Sequence, residues 1–494
     1  MKSHFKSLLF ILFIFTVSEQ SVGQIPLVLR SSSEVIFGTG EFAPYYLVSN
    51  RHGVPSLNPN NGYLRAELQK PVRYDRKFDY GFGVDALASY NNTSVFRLQQ
   101  LYGEVRYRGI NLMFGSKEYG GVFKNEQLSS GGMVWSGNAR PIPQIRLSIP
   151  NFITVPFTSG WVQIKGDVAY GKFLGDDWLR EQYDYQSWFI TTDVWYHTKS
   201  LFFRSKEEKR FILTLGLEAS AQFGGNHRSW SNQSLTNEII QRVRFKDFLN
   251  ILIPGKGDET SAAGDQAYMY GNHLGAWHGV GEYKFRNESV LKGYFEWFFE
   301  MGSGIGKLNG WDGLWGLEYN TNRKSICSSV VLEYLQTTNQ SGPIHWAPGD
   351  FPGTSLTPEA TGSDNYYNNY FYNGWAHYGQ GNGNPLLKSP IYNKDGYLSF
   401  TDNRIKAVHL GGKGYLSHCL EYKLLVSYRK SWGTPLIPSI PITYDISGLI
   451  HLSYTSEYIK NWTITTQLGI DKGNLFGNNI GGALLLKKEF FIKQ

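Results

Sequence analysis

Two short motifs of this 494-residue chain resemble sites for a phosphate or a metal ion, but each departs from the required pattern. Gly304-Ile305-Gly306-Lys307 resembles a phosphate-binding loop. However, no Ser or Thr follows the lysine, and Met301 occupies the position of the motif's first glycine. His273 and His278 lie five residues apart, whereas two ligands on one helix face need a spacing of four. We therefore expect neither a phosphate site nor a metal site at these positions.

Catalytic signals are equally weak along the chain. Asp176-Asp177 and Glu207-Glu208 are adjacent carboxylates, and neighbouring side chains in an extended chain point to opposite faces. The sequence contains no G-x-S-x-G motif, and no Ser/His/Asp set can be chosen without geometry. We therefore predict a protein that is not an enzyme, has no catalytic residues and needs no metal or cofactor.

One segment has the composition of a carbohydrate-binding surface. Aromatic rings offer flat faces to the C–H side of a sugar, and amides can hydrogen-bond to its hydroxyls. The same composition also suits a packed loop that merely plugs a pore, so both interpretations stay open. The segment lies within a long connection predicted over residues 337–401, and its candidate polysaccharide-binding residues are Tyr366, Tyr370, Trp375, His377, Tyr378, Gln380, Asn382 and Asn384.

A second informative segment runs from Trp135 to Ile149. Pro141 and Pro143 have no N–H to donate, so they exclude a paired central strand at this point. We expect a rigid start to a strand here, with Asn138 and Arg140 at a rim or in a lumen. These two residues complete the candidate set for binding a polysaccharide.

The elements that must position these residues are strands with a period of two. Phe78 to Tyr90 alternates apolar and polar residues with Leu87 as the one lapse, and Phe211 to Phe223 and Ile442 to Tyr454 repeat the pattern. Alternation over 10–13 residues is typical of tilted membrane strands, which meet lipid on one face and polar groups on the other. The predicted fold is an all-β, antiparallel transmembrane barrel.

Short turns alternate with long connections, as in barrels whose two termini lie in the periplasm. About 17 strands can be counted from residue 60 onward, and an even barrel needs one more, which Glu34–Val48 could supply. We therefore predict about 18 strands, with a lumen plugged by loops and a helical segment. The period changes at residues 234–253, which predict a helix inside the barrel or across its mouth.

The first residues have the pattern of a secretion signal. Lys2 and Lys6 precede a short apolar run, and small residues at Ser21 and Gly23 place cleavage before Gln24. The prediction is a signal peptide over residues 1–23 and a barrel over residues 24–494 in the outer membrane of a Gram-negative cell.

Charge and cysteine content add limits on the partners. The formal net charge is +7, which suits an anionic neighbour such as lipopolysaccharide or an acidic polysaccharide, and solvated charges on loops would explain it equally well. No run of five basic residues occurs, so we expect no nucleic-acid partner.

Cys327 and Cys419 fall near the starts of two strands that are separated by a third strand, which places the cysteines beyond disulfide reach. We therefore expect two free thiols facing inward.

Two stretches resemble the outer-membrane capsule-assembly family called Wzi. They are Ser136-Gly137-Asn138-Ala139-Arg140-Pro141-Ile142-Pro143 and the looser pattern Gly374-Trp375-Ala376-His377-Tyr378-Gly379-Gln380-Gly381-Asn382-Gly383-Asn384-Pro385-Leu386. The likeness in strand layout covers most of the mature chain. It implies an 18-stranded barrel closed by helical and loop elements that anchors capsular polysaccharide as a lectin rather than as a transporter or an enzyme.

The function expected from the sequence is therefore a plugged outer-membrane barrel that binds capsular or surface polysaccharide. The expected partners are this polysaccharide, outer-membrane lipid with lipopolysaccharide, and other capsule-export components. The main alternative is an outer-membrane porin or substrate channel, whose long loops would fold back without sealing the lumen. A hydrolase or acyl-transferring barrel is the third alternative, and it lacks a recognisable catalytic motif.

Overall fold

A computed structural model describes residues 26–184, 188–257, 269–300, 305, 309–321, 323–340, 345–346, 360–361, 364–457 and 459–493. Eighteen antiparallel strands form one sheet, which closes where the first strand pairs with the last from Pro26↔Lys493 to Thr39↔Ile480. The predicted barrel of about 18 strands is confirmed. The predicted signal peptide lies outside the described residues and stays a prediction.

The described residues form 25 strands and four helices. Strands β1–β7, β9, β10, β13–β16 and β21–β25 make the barrel wall, and the other strands form small sheets in the connections. The strand bounds are β1 Pro26–Thr39, β2 Asn61–Lys70, β3 Phe78–Tyr90, β4 Phe96–Tyr107, β5 Ile110–Ser116, β6 Gln144–Thr154, β7 Val162–Lys172, β8 Phe189–Thr192, β9 Trp195–Ser205, β10 Phe211–Phe223, β11 Gly225–Ser231, β12 Ser234–Gln241, β13 Asn272–Lys284, β14 Val290–Glu300, β15 Gly313–Asn320, β16 Ser329–Gln336, β17 His345–Trp346, β18 Ala360–Thr361, β19 Ala376–His377, β20 Gln380–Gly381, β21 Ile405–Tyr415, β22 Leu420–Gly433, β23 Pro438–Thr455, β24 Trp462–Gly473 and β25 Asn479–Lys493. The helices are α1 Tyr45–Val48, α2 Asp176–Gln182, α3 Phe245–Leu252 and a 3₁₀ turn over Pro390–Tyr392.

The alternating pattern of β3 places its two faces as the sequence predicts. Phe78, Tyr80 and Val84 point out of the barrel and are exposed, whereas Asp79 and Asp85 point into the lumen and are buried. Leu87, the one lapse in the pattern, also points inward, where it packs against buried residues of the lumen. An apolar outer wall around a polar lumen is the pattern of a membrane-spanning barrel.

The topology puts both described ends of the chain at one end of the barrel, together with the short turns. The long connections lie at the opposite end, called the outer mouth below. They include residues 40–60, 117–143 and the described parts of 173–194 and 337–404. Because β1 runs from the short-turn end to the outer mouth and strand directions alternate, every second connection reaches the mouth.

Two predictions about the strands and cysteines need correction. The eighteenth strand is β1 rather than residues 34–48, because the chain leaves the wall after Thr39 and forms α1 inside the lumen. Cys327 and Cys419 are free, as expected, and β21 lies between their strands. They do not face inward, however: each sits in a turn just before its strand, and Cys327 is exposed.

The core of the molecule is a plug inside the barrel. Buried residues of connections 40–60, 117–143 and 364–404 form one hydrophobic cluster with inward side chains of the wall. The wall residues in this cluster come from nearly every side of the barrel: Ile36, Tyr196, Leu274, Ala276, Phe298, Leu314, Val331, Leu335, Ile405, Ala407, Leu425, Leu449 and Ala483. Loops therefore plug the lumen as predicted, but the helical element among them is the four-residue α1 and not the segment predicted over residues 234–253.

The predicted helix over residues 234–253 is wrong in extent and in place. Residues Ser234–Gln241 form β12, which pairs with β11 in a three-stranded sheet with β8. Only Phe245–Leu252 is helical, and this helix packs on the outside of the barrel wall rather than in the lumen. Pairing with β11 overrides the weak helical pattern of the first half. Among the residues that the structure describes, no helix is long and apolar enough to cross a membrane.

A charge placed on the outer wall tests the membrane orientation of the barrel. Leu468 lies midway along β24 and is exposed on the outer face. We expect Leu468→Arg to lower the free energy of unfolding in lipid vesicles by about 2–4 kcal/mol, because a cation at the bilayer midplane is costly. Leu436→Arg, in the exposed turn between β22 and β23, is the control and should cost about 0–1 kcal/mol. Equal losses in both variants would contradict a lipid-facing wall.

Candidate functional site

The two sequence segments that resemble a known family meet inside the plug. The backbone N–H of Ser136 donates to the Asn382 carbonyl at 2.7 Å, and its hydroxyl donates to the Gly383 carbonyl at 2.6 Å. The Asn138 amide donates to the Gly381 carbonyl at 3.0 Å. Segments that lie about 245 residues apart in sequence thus form one interlocked unit, and each satisfies backbone groups that the other buries.

Aromatic side chains hold this unit together. The Trp375 indole is fully buried and donates to the Val134 carbonyl at 2.9 Å. Tyr367 donates its hydroxyl to the Met133 carbonyl, and its backbone N–H donates to Glu300 of the wall at 2.8 Å. Aromatic rings that reach a polar partner in this way pack as core residues. In this structure the rings of Trp375 and Tyr367 therefore stabilise the packing of the plug.

The structure separates the predicted polysaccharide-binding residues into two groups. Half of them are buried inside the plug, where they contact protein atoms. Four others, Arg140, His377, Tyr378 and Gln380, border open space at the outer mouth, and Tyr370 is exposed apart from them. The plug residues are Tyr366, Trp375, Asn382, Asn384 and Asn138.

Two connected cavities form a groove at the outer mouth. Their volumes are about 360 Å³ and about 440 Å³. Both are lined by Thr93, Arg140, Trp178 and Tyr378, so these four residues form the ridge where the cavities meet. Helix α2 positions Trp178 against the backbone of Gly379, where a Cβ atom would overlap the indole ring. We call this space the outer groove.

Arg140 and Tyr378 form the centre of the outer groove. The guanidinium lies 4.2 Å from the centre of the Tyr378 ring and donates to the Thr93 hydroxyl at 3.2 Å. Burial raises the pKa of Tyr378 above its ordinary value and lowers the pKa of Arg140, although each side chain partly opposes the shift of the other. The result is a fixed cation stacked on a neutral ring, with part of each still accessible.

His377 fixes the floor beneath this pair. Its Nε2 accepts a hydrogen bond from the Leu174 backbone N–H at 3.1 Å, so the proton is on Nδ1, which donates to the Arg140 carbonyl at 2.9 Å. Burial and the Arg140 charge lower the pKa of His377 from 6.5 to about 4. The imidazole is therefore neutral at pH 7 and connects the segment just before α2 to Arg140 and the plug.

Arg97 is a groove residue that sequence reasoning missed. It is buried at the start of β4 and donates from Nη2 to the Gly53 carbonyl at 2.7 Å. In the part of the chain that the structure describes, its Nε and Nη1 atoms have no hydrogen-bond partner. Nothing in the sequence distinguishes this arginine, or Trp178, from other wall and loop residues. Only the fold shows that both border the groove.

The outer groove presents several kinds of side chain that can contact a ligand. It offers a stacked cation, a second arginine, aromatic surface, and hydroxyl and amide groups from Thr93 and Gln380. Within the described ranges, no three His, Cys, Asp or Glu side chains are placed to hold a metal ion. The arrangement suits a polar ligand with ring faces and an anionic substituent.

Comparison with known proteins identifies similar folds. No protein-family model matches the chain, and no curated protein matches it. Among solved structures, the chain is similar to Wzi of Escherichia coli, described as an outer membrane protein involved in group 1 capsule assembly and a carbohydrate-binding β-barrel. The TM-score is 0.56 at 12% identity, and the match covers 94% of this chain and 84% of that one.

Weaker matches include two proteins of Pseudomonas aeruginosa. OccK3 gives a TM-score of 0.44 at 11% identity, covering 94% of this chain and 96% of that one. OprD gives a TM-score of 0.45 at 9% identity, covering 97% and 100%. At such low identities the similarity to Wzi concerns the fold alone: a closed antiparallel barrel of the outer-membrane type.

A substitution at Gly383 tests whether the plug seals the lumen. An added Cβ atom would overlap the Tyr367 hydroxyl and the Met133 carbonyl, so Gly383→Ala should loosen the plug by about 1–3 kcal/mol. We expect the native protein to give no steady conductance in planar bilayers and the variant to give openings. The control is Gly293→Ala, where a Cβ atom meets nothing within 4 Å. Steady native conductance would show that the plug does not seal the barrel.

The pH dependence of the plug follows from His377. In the unfolded chain His377 binds a proton below about pH 6.5, whereas in the folded plug it binds one only below about pH 4. The free energy of unfolding therefore falls as the pH drops through this window. The loss should reach at most about 3 kcal/mol. Urea unfolding at pH 7 and pH 4.5 measures it, and His377→Gln should remove part of the dependence. An unchanged pH slope in that variant would exclude His377 as the titrating group.

Proposed function

We propose that this chain is an outer-membrane barrel that holds a capsular or surface polysaccharide at the cell surface without catalysis. The outer groove is the observation that carries the proposal. It lies at the barrel end with the long connections, and the two family-like segments build its centre around Arg140 and Tyr378. A ligand there would meet solvent on one side and the plug on the other.

Membrane residence is supported by the barrel's own surface. Exposed large apolar side chains cover the outer faces of the wall strands, as on β23, where Ile442, Tyr444, Ile446 and Ile450 follow one another at every second or fourth position. The lumen side carries the polar residues instead. Such a wall is stable in contact with hydrocarbon, whereas in water it would expose a large apolar surface that promotes aggregation.

The groove's side chains suit a sugar chain. The Tyr378 ring is half-buried and held from one face by Arg140, so its remaining surface can meet the C–H face of a sugar. The Gln380 amide, the Thr93 hydroxyl and Asn393 line the cavity of about 360 Å³ and can exchange hydrogen bonds with hydroxyl groups. Several weak contacts along a repeating polymer add up, because each repeat raises the local concentration of the next.

An acidic polysaccharide fits the charges best. Arg97 and Arg140 border the same cavity, and Arg97 keeps two donor atoms without a partner among the described residues. A carboxylate on the sugar would be attracted to both guanidinium groups and would accept charge-assisted hydrogen bonds from Arg140, which is partly accessible, whereas the two unpaired donor atoms of Arg97 are buried. Asp177 and Glu181 also line this cavity and would limit how many negative groups can enter.

Similarity to Wzi supports the proposal at the level of the fold. That protein is described as carbohydrate-binding and involved in capsule assembly, and it is also a closed barrel of similar extent. The set of proposed ligand residues is smaller than the set expected from the sequence. Tyr378, Arg140, His377 and Gln380 are proposed to form the site, and the buried plug residues are proposed to shape it.

An open channel is less compatible with the described structure. The plug residues pack against inward side chains from most wall strands, and carboxylates of β14 and β16 bind plug backbone. A channel would require this packed core to move as a whole. Holding a ligand at the mouth requires no such movement.

Binding to the purified polysaccharide of the same cells tests the proposed site. Tyr378→Ala removes the ring surface and Arg140→Gln removes the cation, and we expect each to weaken binding about tenfold, equivalent to about 1.4 kcal/mol. Isothermal titration with the detergent-solubilised full chain measures the affinity. Trp311→Ala, which removes an exposed ring elsewhere at the outer mouth, should leave the affinity unchanged.

A parallel experiment in cells checks the biological role. Cells that carry Tyr378→Ala with Arg140→Gln should release more polysaccharide into the medium than cells that carry Trp311→Ala, at equal barrel levels in the membrane. If the native protein binds no polysaccharide and its deletion leaves surface retention normal, the proposed function is refuted.

A further inference from the structure

Helix α3 lies on the outer face of the barrel wall. On β9 the exposed residues Leu201 and Phe203 mark the outward positions, so Trp195 and Lys199 also point outward. Phe248 of α3 stacks edge-on against Trp195 at 5.3 Å and against the outward Tyr170 at 5.1 Å. The helix therefore occupies a place where the other wall strands meet lipid.

Polar side chains beneath α3 explain why a helix covers this part of the wall. Lys199 donates to the carbonyls of Ile251 and Leu252 at the end of the helix. The ring of His273 bonds the Tyr270 carbonyl at 2.9 Å, and the ring of His197 bonds the Ala169 carbonyl at 3.0 Å. Exposed to hydrocarbon, these three groups would be costly. The helix satisfies or shields them, so it is a built part of the wall.

The opposite side of α3 carries an apolar stripe that no described residue covers. Phe245, Leu249 and Ile253 are 81%, 54% and 77% exposed. Their spacing of four residues places them on one side of the helix, away from the buried Asp247 and Ile251. A stripe of large apolar side chains on a helix indicates an apolar partner.

This stripe continues the lipid-facing surface of the barrel. On β10 the outward residues Phe211, Leu213 and Leu215 are exposed, but Ala221 and Phe223, closer to the outer mouth, are buried under the helix. The exposed part of this strand is therefore shorter than the 9–11 residues that a membrane strand needs. The apolar side chains on the outer side of α3 extend the lipid-facing surface of the barrel toward the outer mouth, at the level of the outer leaflet.

Basic residues flank the stripe. Arg242, Arg244, Lys246 and Lys256 are exposed around the helix. An amphipathic helix with an apolar side and a basic border is typical of a segment that lies in a membrane interface, where cations meet anionic headgroups. This charge pattern favours lipid over a second copy of the chain, whose identical basic border would repel it across a two-fold axis.

We propose that α3 is an interfacial lipid-binding helix. Phe245, Leu249 and Ile253 insert among the acyl chains of the outer leaflet, and the flanking basic residues face the phosphates of its acylated glycolipid. The site is separate from the outer groove, and the proposal does not depend on polysaccharide binding.

Nitroxide labels at single cysteines test the insertion. In full-length chains with Cys327→Ser and Cys419→Ser, labels are placed at Leu249→Cys on the stripe, at Leu215→Cys on the wall and at Leu235→Cys on β12. Leu235 is a matched exposed leucine of the same connection. The chains are reconstituted in phosphatidylcholine vesicles that contain lipid A. Power saturation then compares collision with oxygen, which concentrates in acyl chains, and with a water-soluble nickel complex.

The expected result is that position 249 resembles position 215, with collision rates severalfold higher for oxygen than for nickel, and that position 235 shows the reverse. If position 249 resembles position 235, the stripe faces water and the proposal is wrong. Spin–spin broadening at position 249 that disappears on dilution with unlabelled chain would also overturn it, because a second copy would then cover the stripe. Labels at Phe245→Cys and Ile253→Cys provide the same readout if the first variant folds poorly.

The phosphate contact has its own test. Arg242→Glu with Lys246→Glu should reduce the oxygen-to-nickel ratio at position 249 in vesicles that contain lipid A, and should leave it unchanged in vesicles of phosphatidylcholine alone. An equal ratio for both charge states in lipid A vesicles would refute the contact with phosphates.

Discussion

Hydrogen bonds between wall carboxylates and plug backbone are the interactions on which the rest of this structure depends. Glu333 accepts from the Ser130 N–H, Glu296 from the Met133 N–H and Glu300 from the Tyr367 N–H, and all three carboxylates are buried. A buried carboxylate is costly unless donors satisfy it, and a buried loop is costly unless its N–H groups find acceptors. Wall and plug therefore stabilise each other, and the shape of the outer groove follows from their union.

The fold could be predicted from the sequence because its main rule is local. A side chain in a strand points opposite to its neighbour, so Phe78–Tyr90 and Phe211–Phe223 appear in the sequence with the same bounds as β3 and β10. The helix predicted over 234–253 failed because its first half pairs with β11, and a neighbouring strand is invisible to local periodicity. Similarly, α3 could be expected as a helix, but not its place outside the wall.

The candidate site could be predicted only in part, because rings and amides suit both a ligand and a core. The sequence pointed to Trp375 and Tyr378 alike. The structure separates them, since the indole of Trp375 bonds a carbonyl of Val134, 241 residues away, and Tyr378 stays half-buried beside Arg140. This distinction depends on which distant segment packs against each side chain, and local sequence patterns do not reveal that. For the same reason the place of Arg97 in the groove could not be predicted from the sequence.

The groove and the outer helix are mechanically connected through one part of the wall. His377 beneath the groove bonds Leu174 of the connection that leads into β9, and β9 carries Lys199, whose ammonium holds the end of α3. A force on a polymer held at Arg140 and Tyr378 would thus pass into the strands that α3 braces from outside. With the plug packed against the wall and α3 in its proposed place in the outer leaflet, neither the lumen nor this part of the wall would yield independently to such a pull.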